Sequence, residues 1–447
     1  MSIDRDKLEH QLNDFDSQIR RNALLSLLEQ VHAGNITFPE QTRDFNLHCH
    51  TFFSFNGYGY SPTYLAWKGR CEGLYAMGLV DFDVLDGVDE FLEACHMVGV
   101  RACAGMETRI FVPEFSTREI SSPGEPGIAY HMGVGFTSTA VQDDALLHQL
   151  KNIAQNRNQG LVDRVNAFLD PVKLDYTEDI LPLVPKGNAT ERHVCVAYDN
   201  KAKALFPDAA KRAAFWAEKL GMSQENIVKV LDDGPAFQGL IRSKTMKQGG
   251  VGYVLPDGND FPRIDDVNAF SKAAGAIPCM TWLDGTSEGE QAIDEMLDLM
   301  QASGVVAANI IPDRNWNISD AATKSIKVKH FHDFVKKLND RHMPIIVGTE
   351  MNAYGQKFVD TFSVPEMKPL HDDFLRGAHI VYAHTLLQQH AGMGYMSDWA
   401  DTNFKDAQSK NIFYEMVGQR ISPATAEFVK SITAENTPEQ IVSALEA

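Results

Sequence analysis

No Cys-x-x-Cys pair occurs among the six cysteines (Cys49, Cys71, Cys95, Cys103, Cys195 and Cys279), so neither a zinc ribbon nor a dithiol redox motif is indicated. Free buried thiols are expected instead. No window approaches the ~20 apolar residues of a membrane span. The opening MSIDRDKLEHQLNDFDSQ is charged and lacks the apolar stretch of a signal peptide. A cytoplasmic chain with no membrane partner is the expectation. Positive charge is scarce as well: 41 Lys and Arg stand against 60 Asp and Glu, a formal charge of −19. Non-specific nucleic-acid binding rests on neutralising phosphates with Lys and Arg, so no nucleic-acid partner is expected. Internal repeats and low-complexity tracts are also missing.

What is present is the material of a folded core. Hydrophobic residues make up 44% and charged residues 23% of the 447 positions, an ordinary globular balance, and the length allows two or three domains. Residues 1–43 read as a helical cover, because Ile19, Leu24, Leu25, Leu27, Leu28 and Val31 fall mostly on one face. From Asp44 onward, short apolar runs alternate with helical patterns, the signature of β/α units. Strands are predicted at 45–50, 76–81, 100–108, 130–136, 276–282, 305–311, 344–350 and 379–384. After Asp284, Ser287 and Glu290 have capping-box spacing, Ile293, Met296, Leu297 and Met300 form an apolar stripe, and Gly304 stands where that helix should stop. Residues 160–262 break the rhythm with text such as AAKRAAFWAEKLG. They read as an inserted helical subdomain, which leaves 44–159 and 263–447 for the main body.

The segment Asp44-Phe45-Asn46-Leu47-His48-Cys49-His50-Thr51 carries the strongest chemical signal. Side chains alternate faces along a strand, so His48 and His50 share one side. Two neutral imidazoles at that spacing can grip one metal ion. Other predicted strands deliver Glu107, His131 and Glu350, with Asn352 two positions further on. Such groups converge on one mouth if the strands close into a barrel.

With those residues in place, the sequence resembles the PHP (polymerase and histidinol phosphatase) family of metal-dependent phosphoesterases, in the manner of a divergent member. HCHTFFS matches the opening motif, GLVDFDVLDGVDEF resembles the second, GVRACAGMETRI the third, and YHMGVG the strand that supplies the next histidine. The similarity covers residues 44–136 and 263–355. It implies an α/β fold, a distorted (β/α)7 TIM-like barrel, with a cluster of up to three metals at its mouth. It also implies Glu107 in a bridging position, with His48, His50 and Glu350 completing one site and His131 belonging to a second. Asn56, Phe82 and Asn352 stand where the family has ligands of a third ion, so that site is expected to be lost as a unit. The family's Ala-His-Pro strand end reads here Thr281-Trp282-Leu283-Asp284. Asp284 is then either a substitute ligand or a loop carboxylate.

Asp81 occupies a family active-site position; it either hydrogen-bonds a ligand or nucleophile, or is an acidic turn residue. Arg314 either grips an anionic substrate group or makes a surface ion pair, and Arg109, Arg192 and Lys244 are further candidates for local positive charge. His384 is read as core, and His330, His332 and His342 as solvated. The expected cofactor is one or two divalent transition metals, zinc, manganese or iron. The resulting expectation is a metal-dependent hydrolase of a small phosphoester, using metal-activated water. The alternatives are a hydrolase or isomerase of a non-phosphate substrate such as a carbohydrate acid or amide, and a non-catalytic metal-binding barrel.

Overall fold

The computed structural model describes residues 4–446; the first three positions of the 1–43 segment, and the last residue of the chain, lie outside it. Seven strands form one sheet in the order β1 to β7: Phe45–Cys49, Ala76–Phe82, Arg101–Phe111, Ile128–Val134, Ile277–Trp282, Ala307–Ile310 and Ile345–Val347. Their apolar text is nearly continuous, as expected of strands covered on both faces. β1 to β3 are mutually parallel, as are β5 to β7, while β4 runs antiparallel to both β3 and β5. The two edges meet through a parallel bridge between Cys49 and Glu350. There the His50 amide donates to the Glu350 carbonyl at 2.7 Å and the Glu350 amide to the His48 carbonyl at 2.8 Å. The protein is therefore α/β, with a seven-stranded sheet nearly closed into a barrel.

That seam depends on a missing side chain. A Cβ at Gly348 would sit 2.4 Å from both the Asn46 Oδ1 and the His48 amide nitrogen, so only glycine lets the end of β7 approach β1.

The eighth predicted strand is not a strand. Residues 379–384 lie inside the helix His371–Ala391, which is buried on nearly every side. A short apolar run such as HIVYAH has the same hydrophobic pattern whether it fills a strand or a fully covered helix. The helix after Asp284 also differs from expectation, breaking at Ala292 into Glu288–Gln291 and Ile293–Ala302. Ser287 caps it, but the Glu290 carboxylate turns away to accept the amides of Leu283, Asp284 and Gly285. It fixes the loop leaving β5.

The N-terminal helices Arg5–Gln11 and Ser17–His32 pack on the β1–β3 side, anchored by a bidentate pair of buried Arg20 with Glu90. Between β4 and β5 the chain is helical, beginning with Ala145–Phe168 and including Glu191–Leu205 and Gly234–Thr245. These helices bury their own apolar cluster, with Val165, Tyr198, Trp216 and Phe237 at its centre. All six cysteines are free, five of them buried.

Candidate metal centre

His48 and His50 are fully buried and project from the end of β1 toward Glu107 of β3. One ligand atom from each of these three residues lies within 4.8 Å of the others. The two Nε2 atoms are 3.3 Å apart, and Glu107 Oε2 is 3.6 Å from His48 Nε2 and 3.3 Å from His50 Nε2.

Neighbouring side chains set the tautomers. The Ser54 hydroxyl donates its one proton to Asp81 Oδ1 at 2.6 Å, so toward His50 it can only accept, and His50 Nδ1–H donates to it at 3.1 Å. His48 Nδ1 faces the Asn309 Oδ1 at 3.2 Å and donates likewise. In the neutral rings both Nε2 atoms then present lone pairs to the same point, and Glu107 Oε2, buried there, has no hydrogen-bond partner among the described residues. Three electron-rich atoms aimed at one another call for a cation. Burial alone would raise the Glu107 pKa, but a protonated imidazole beside it, His48 first and then His50, offsets this by charge and by the hydrogen bond it would donate, and holds the carboxyl down to about 2. Burial works against a proton on His48, and Glu107, followed by Glu350, outweighs it, so the ring holds a proton more tightly than a free imidazole.

Asp81 touches none of the three. Buried beneath them, it accepts the Thr51 amide at 2.8 Å and the Thr51 and Ser54 hydroxyls at 2.6 Å each. It thereby holds the turn after β1, and through Ser54 it orients His50.

Glu350 and Arg314 meet each other at the rim: the guanidinium lies 3.0 Å from Glu350 Oε2, and Gln356 donates to the same oxygen. The charge of Glu350 raises the Arg314 pKa. Glu350 thus approaches His48 through its backbone at the seam, while its side chain is committed to Arg314. Glu350 and Met351 both adopt positive φ, 64° and 58°, a conformation that bulky residues seldom take.

His131 lies elsewhere. In the antiparallel β3–β4 register Met132 stands opposite Glu107, and His131 opposite Thr108. Alternation then sends the His131 side chain outward, where Nε2 meets Asn268 Oδ1 of the helix Ile264–Ala273 at 2.6 Å. Burial drives its pKa down to about 4. Tyr130, one residue earlier, lines the cavity instead. The expected placement of His131 beside Glu107 is out by one position, because the register that sets Met132 rather than His131 opposite Glu107 is fixed by the pairing of β3 with β4 and not by the strand's own text.

Asp284 is also outside the centre. It pairs with Lys327 at 2.7 Å and accepts from Thr286; burial opposes its ionisation, but these bonds lower its pKa. Asn56 holds a turn, donating to the His50 carbonyl and accepting the Tyr58 and Tyr60 amides. Phe82 packs its ring 4.3 Å from that of His50. His384 is core, bound to the Gly135 carbonyl and the Tyr395 amide, whereas His332, expected in solvent, is tied to the Glu366 carbonyl.

Above the centre opens a cavity of about 780 Å³, walled on one side by Glu107, Tyr130, Arg314 and Glu350 and on the other by the helical segment. Arg109 and Arg192 line it; Lys244 is exposed elsewhere, and Arg242 and Lys247 stand in its place. Sequence reasoning missed Arg157 on the long helix, and Ser54 and Asn309 as partners of the histidines. Asn309 carried a usable signal, since an amide inside the apolar run VVAANII needs a polar partner.

No family model matches the chain. It is 27% identical over 221 residues to a 5'-3' exoribonuclease of Haemophilus influenzae, covering 49% of this chain and 63% of that protein. Among solved structures, an amidohydrolase from Chromobacterium violaceum aligns over 74% of this chain and 96% of its own, with 15% identity and a TM-score of 0.46. A Bifidobacterium adolescentis protein assigned as a metal-dependent phosphoesterase aligns over 71% of this chain and 90% of its own, with 16% identity and a TM-score of 0.43.

Proposed function

We propose that this chain is a metal-dependent hydrolase of PHP type that cleaves a small phosphoester with water. The observation that carries the reading is the convergence of His48 Nε2, His50 Nε2 and the unpartnered Glu107 Oε2 at the foot of a large cavity. Three protein ligands leave a coordination position open, the pattern of catalytic rather than structural sites. The donor set suits zinc, manganese or iron(II). A divalent ion bound there supplies a water of lowered pKa and polarises a phosphoryl oxygen. The chain does the rest. Ser54 and Asn309 accept from the two Nδ1–H groups and so turn both Nε2 atoms toward the ion, Asp81 holds the turn that carries Ser54, and Arg314 offers a guanidinium at the cavity rim for a phosphoryl oxygen. The outward placement of His131 favours one ion at this set rather than two.

In this reading the nearly closed sheet is a distorted (β/α)7 TIM-like barrel. Residues 1–43 cover it, and 160–262 form a subdomain inserted between its two stretches, 44–159 and 263–447. The similarity to an exoribonuclease favours a second substrate, the phosphodiester of an RNA chain. The excess of acidic residues weighs against it.

The test is product release from a panel of nucleotide phosphates, sugar phosphates and short RNAs, after loading with zinc, manganese or iron(II). Turnover of small esters that disappears in His48→Ala is the expected result. Turnover of RNA alone would favour the second substrate, and a fully loaded protein inert on every ester would overturn the hydrolase reading.

A further inference from the structure

The charge of the cavity runs against that of the chain. Seven Lys and Arg residues and six carboxylates line it, whereas acids outnumber bases by 60 to 41 overall. Most of these cations are already engaged. Arg109 pairs with Glu125 at 2.6 Å, and Arg242 and Lys247 share Glu191 at 3.0 and 2.7 Å. Arg314 pairs with Glu350, and Arg164 donates to the Gly252 carbonyl.

Arg157 and Arg192 are different. Among the described residues neither has a hydrogen bond or an ion pair. Each guanidinium lies over an aromatic ring of the cavity wall, Arg157 5.5 Å from the centre of Phe261 and Arg192 5.7 Å from that of Phe55. Burial lowers the pKa of each to about 10, helped by Arg109 beside Arg157 and Arg242 beside Arg192, and both feel the charge of Glu191. A half-buried guanidinium has given up part of its hydration and here receives no anion in exchange. Two of them, on two different helices facing one cavity, form a wall with unmatched positive charge.

We propose that Arg157 and Arg192 form an anion subsite on the helical wall, distinct from the His48–His50–Glu107 centre, which takes a phosphate-like group of the substrate. The ring contacts restrict the planar forks, which favours bidentate capture of phosphate oxygens over a loose ionic contact. It follows that the substrate carries a second anionic group besides the ester that is cleaved. This consequence rests on the phosphoester reading; the subsite itself does not.

Calorimetric titration of the full chain with inorganic phosphate, in chelator so that no metal takes part, separates the two. The unaltered chain is expected to bind, and Arg157→Gln and Arg192→Gln each to weaken binding by about tenfold or more, the loss of one charge-assisted bond. Arg164→Gln should change nothing. Arg157→Lys should recover part of the affinity, which shows that the loss is not misfolding. Binding should also persist in His48→Ala, so that failure of the metal centre leaves this result intact. No phosphate binding at millimolar concentration, or binding unaltered in both glutamine variants, would overturn the subsite.

Discussion

The two walls of the cavity treat charge in opposite ways. On the barrel side nearly every polar atom answers another: Asp81 gathers three donors, Ser54 and Asn309 orient the imidazoles, and Glu350 faces Arg314. The point shared by His48, His50 and Glu107 is left electron-rich. On the helical side Arg157 and Arg192 remain without anions. One wall is short of a cation and the other of an anion, which is the complement of a metal-bound phosphate ester.

The sharpest way to break this contrast is to remove the barrel wall's anion. Losing a partner that supports a ligand usually costs about 10–100-fold in metal affinity. Glu107→Gln removes an anionic ligand itself, so the expected loss exceeds about 100-fold, read by competition with a chromogenic chelator. Unchanged affinity would mean that Glu107 is no ligand. Ser54→Ala should have a smaller effect, about tenfold, because it frees the His50 ring to take the wrong tautomer while leaving all three ligands in place. Equal affinity in Ser54→Ala and the unaltered chain would dissolve the argument that this wall is pre-arranged.

A third prediction concerns the barrel side's own orphan. Asp360 is buried, neither of its carboxylate oxygens has a hydrogen-bond partner among the described residues, and it does not line the cavity. Burial, with Asp313 adding to it, pushes its pKa up to about 8. The folded chain therefore binds this proton more tightly than the unfolded one. Its contribution is complete below the ordinary carboxylate range and is lost as pH rises toward about 8. Asp360→Asn should flatten that fall and leave the protein more stable at pH 9 by about 1 kcal/mol or more, measured by urea unfolding at pH 5 and 9. A steeper fall in the variant would contradict the assignment.

Much of this arrangement could be read from the residues. Seven strands and the His48, His50 and Glu107 set follow from alternation and from short apolar runs bounded by turns. The errors share a cause. His131 faces the helices because β4 pairs with β3 in a register that sets Met132 opposite Glu107, and register is a tertiary property that leaves no mark on a seven-residue run. The helix His371–Ala391 passes for a strand because a helix buried all round has no polar stripe. Glu290 has the spacing of a capping residue but serves the β5 loop, since spacing defines which groups are near and tertiary contacts decide which one is chosen. Arg157 was invisible as a site residue because its meaning lies in what fails to meet it.

The seam between β1 and Glu350 sets an order on biosynthesis. The three converging ligands have all been translated by residue 107, but Asn309, which orients His48, and Gly348, which lets the sheet close, come roughly 200 to 240 residues later. At about 5–20 residues per second that is an interval of some ~10–50 s. A nascent chain thus carries its histidines and carboxylate well before it can aim them, and the three side chains reach their mutual arrangement only after the segment through Gly348 has been made.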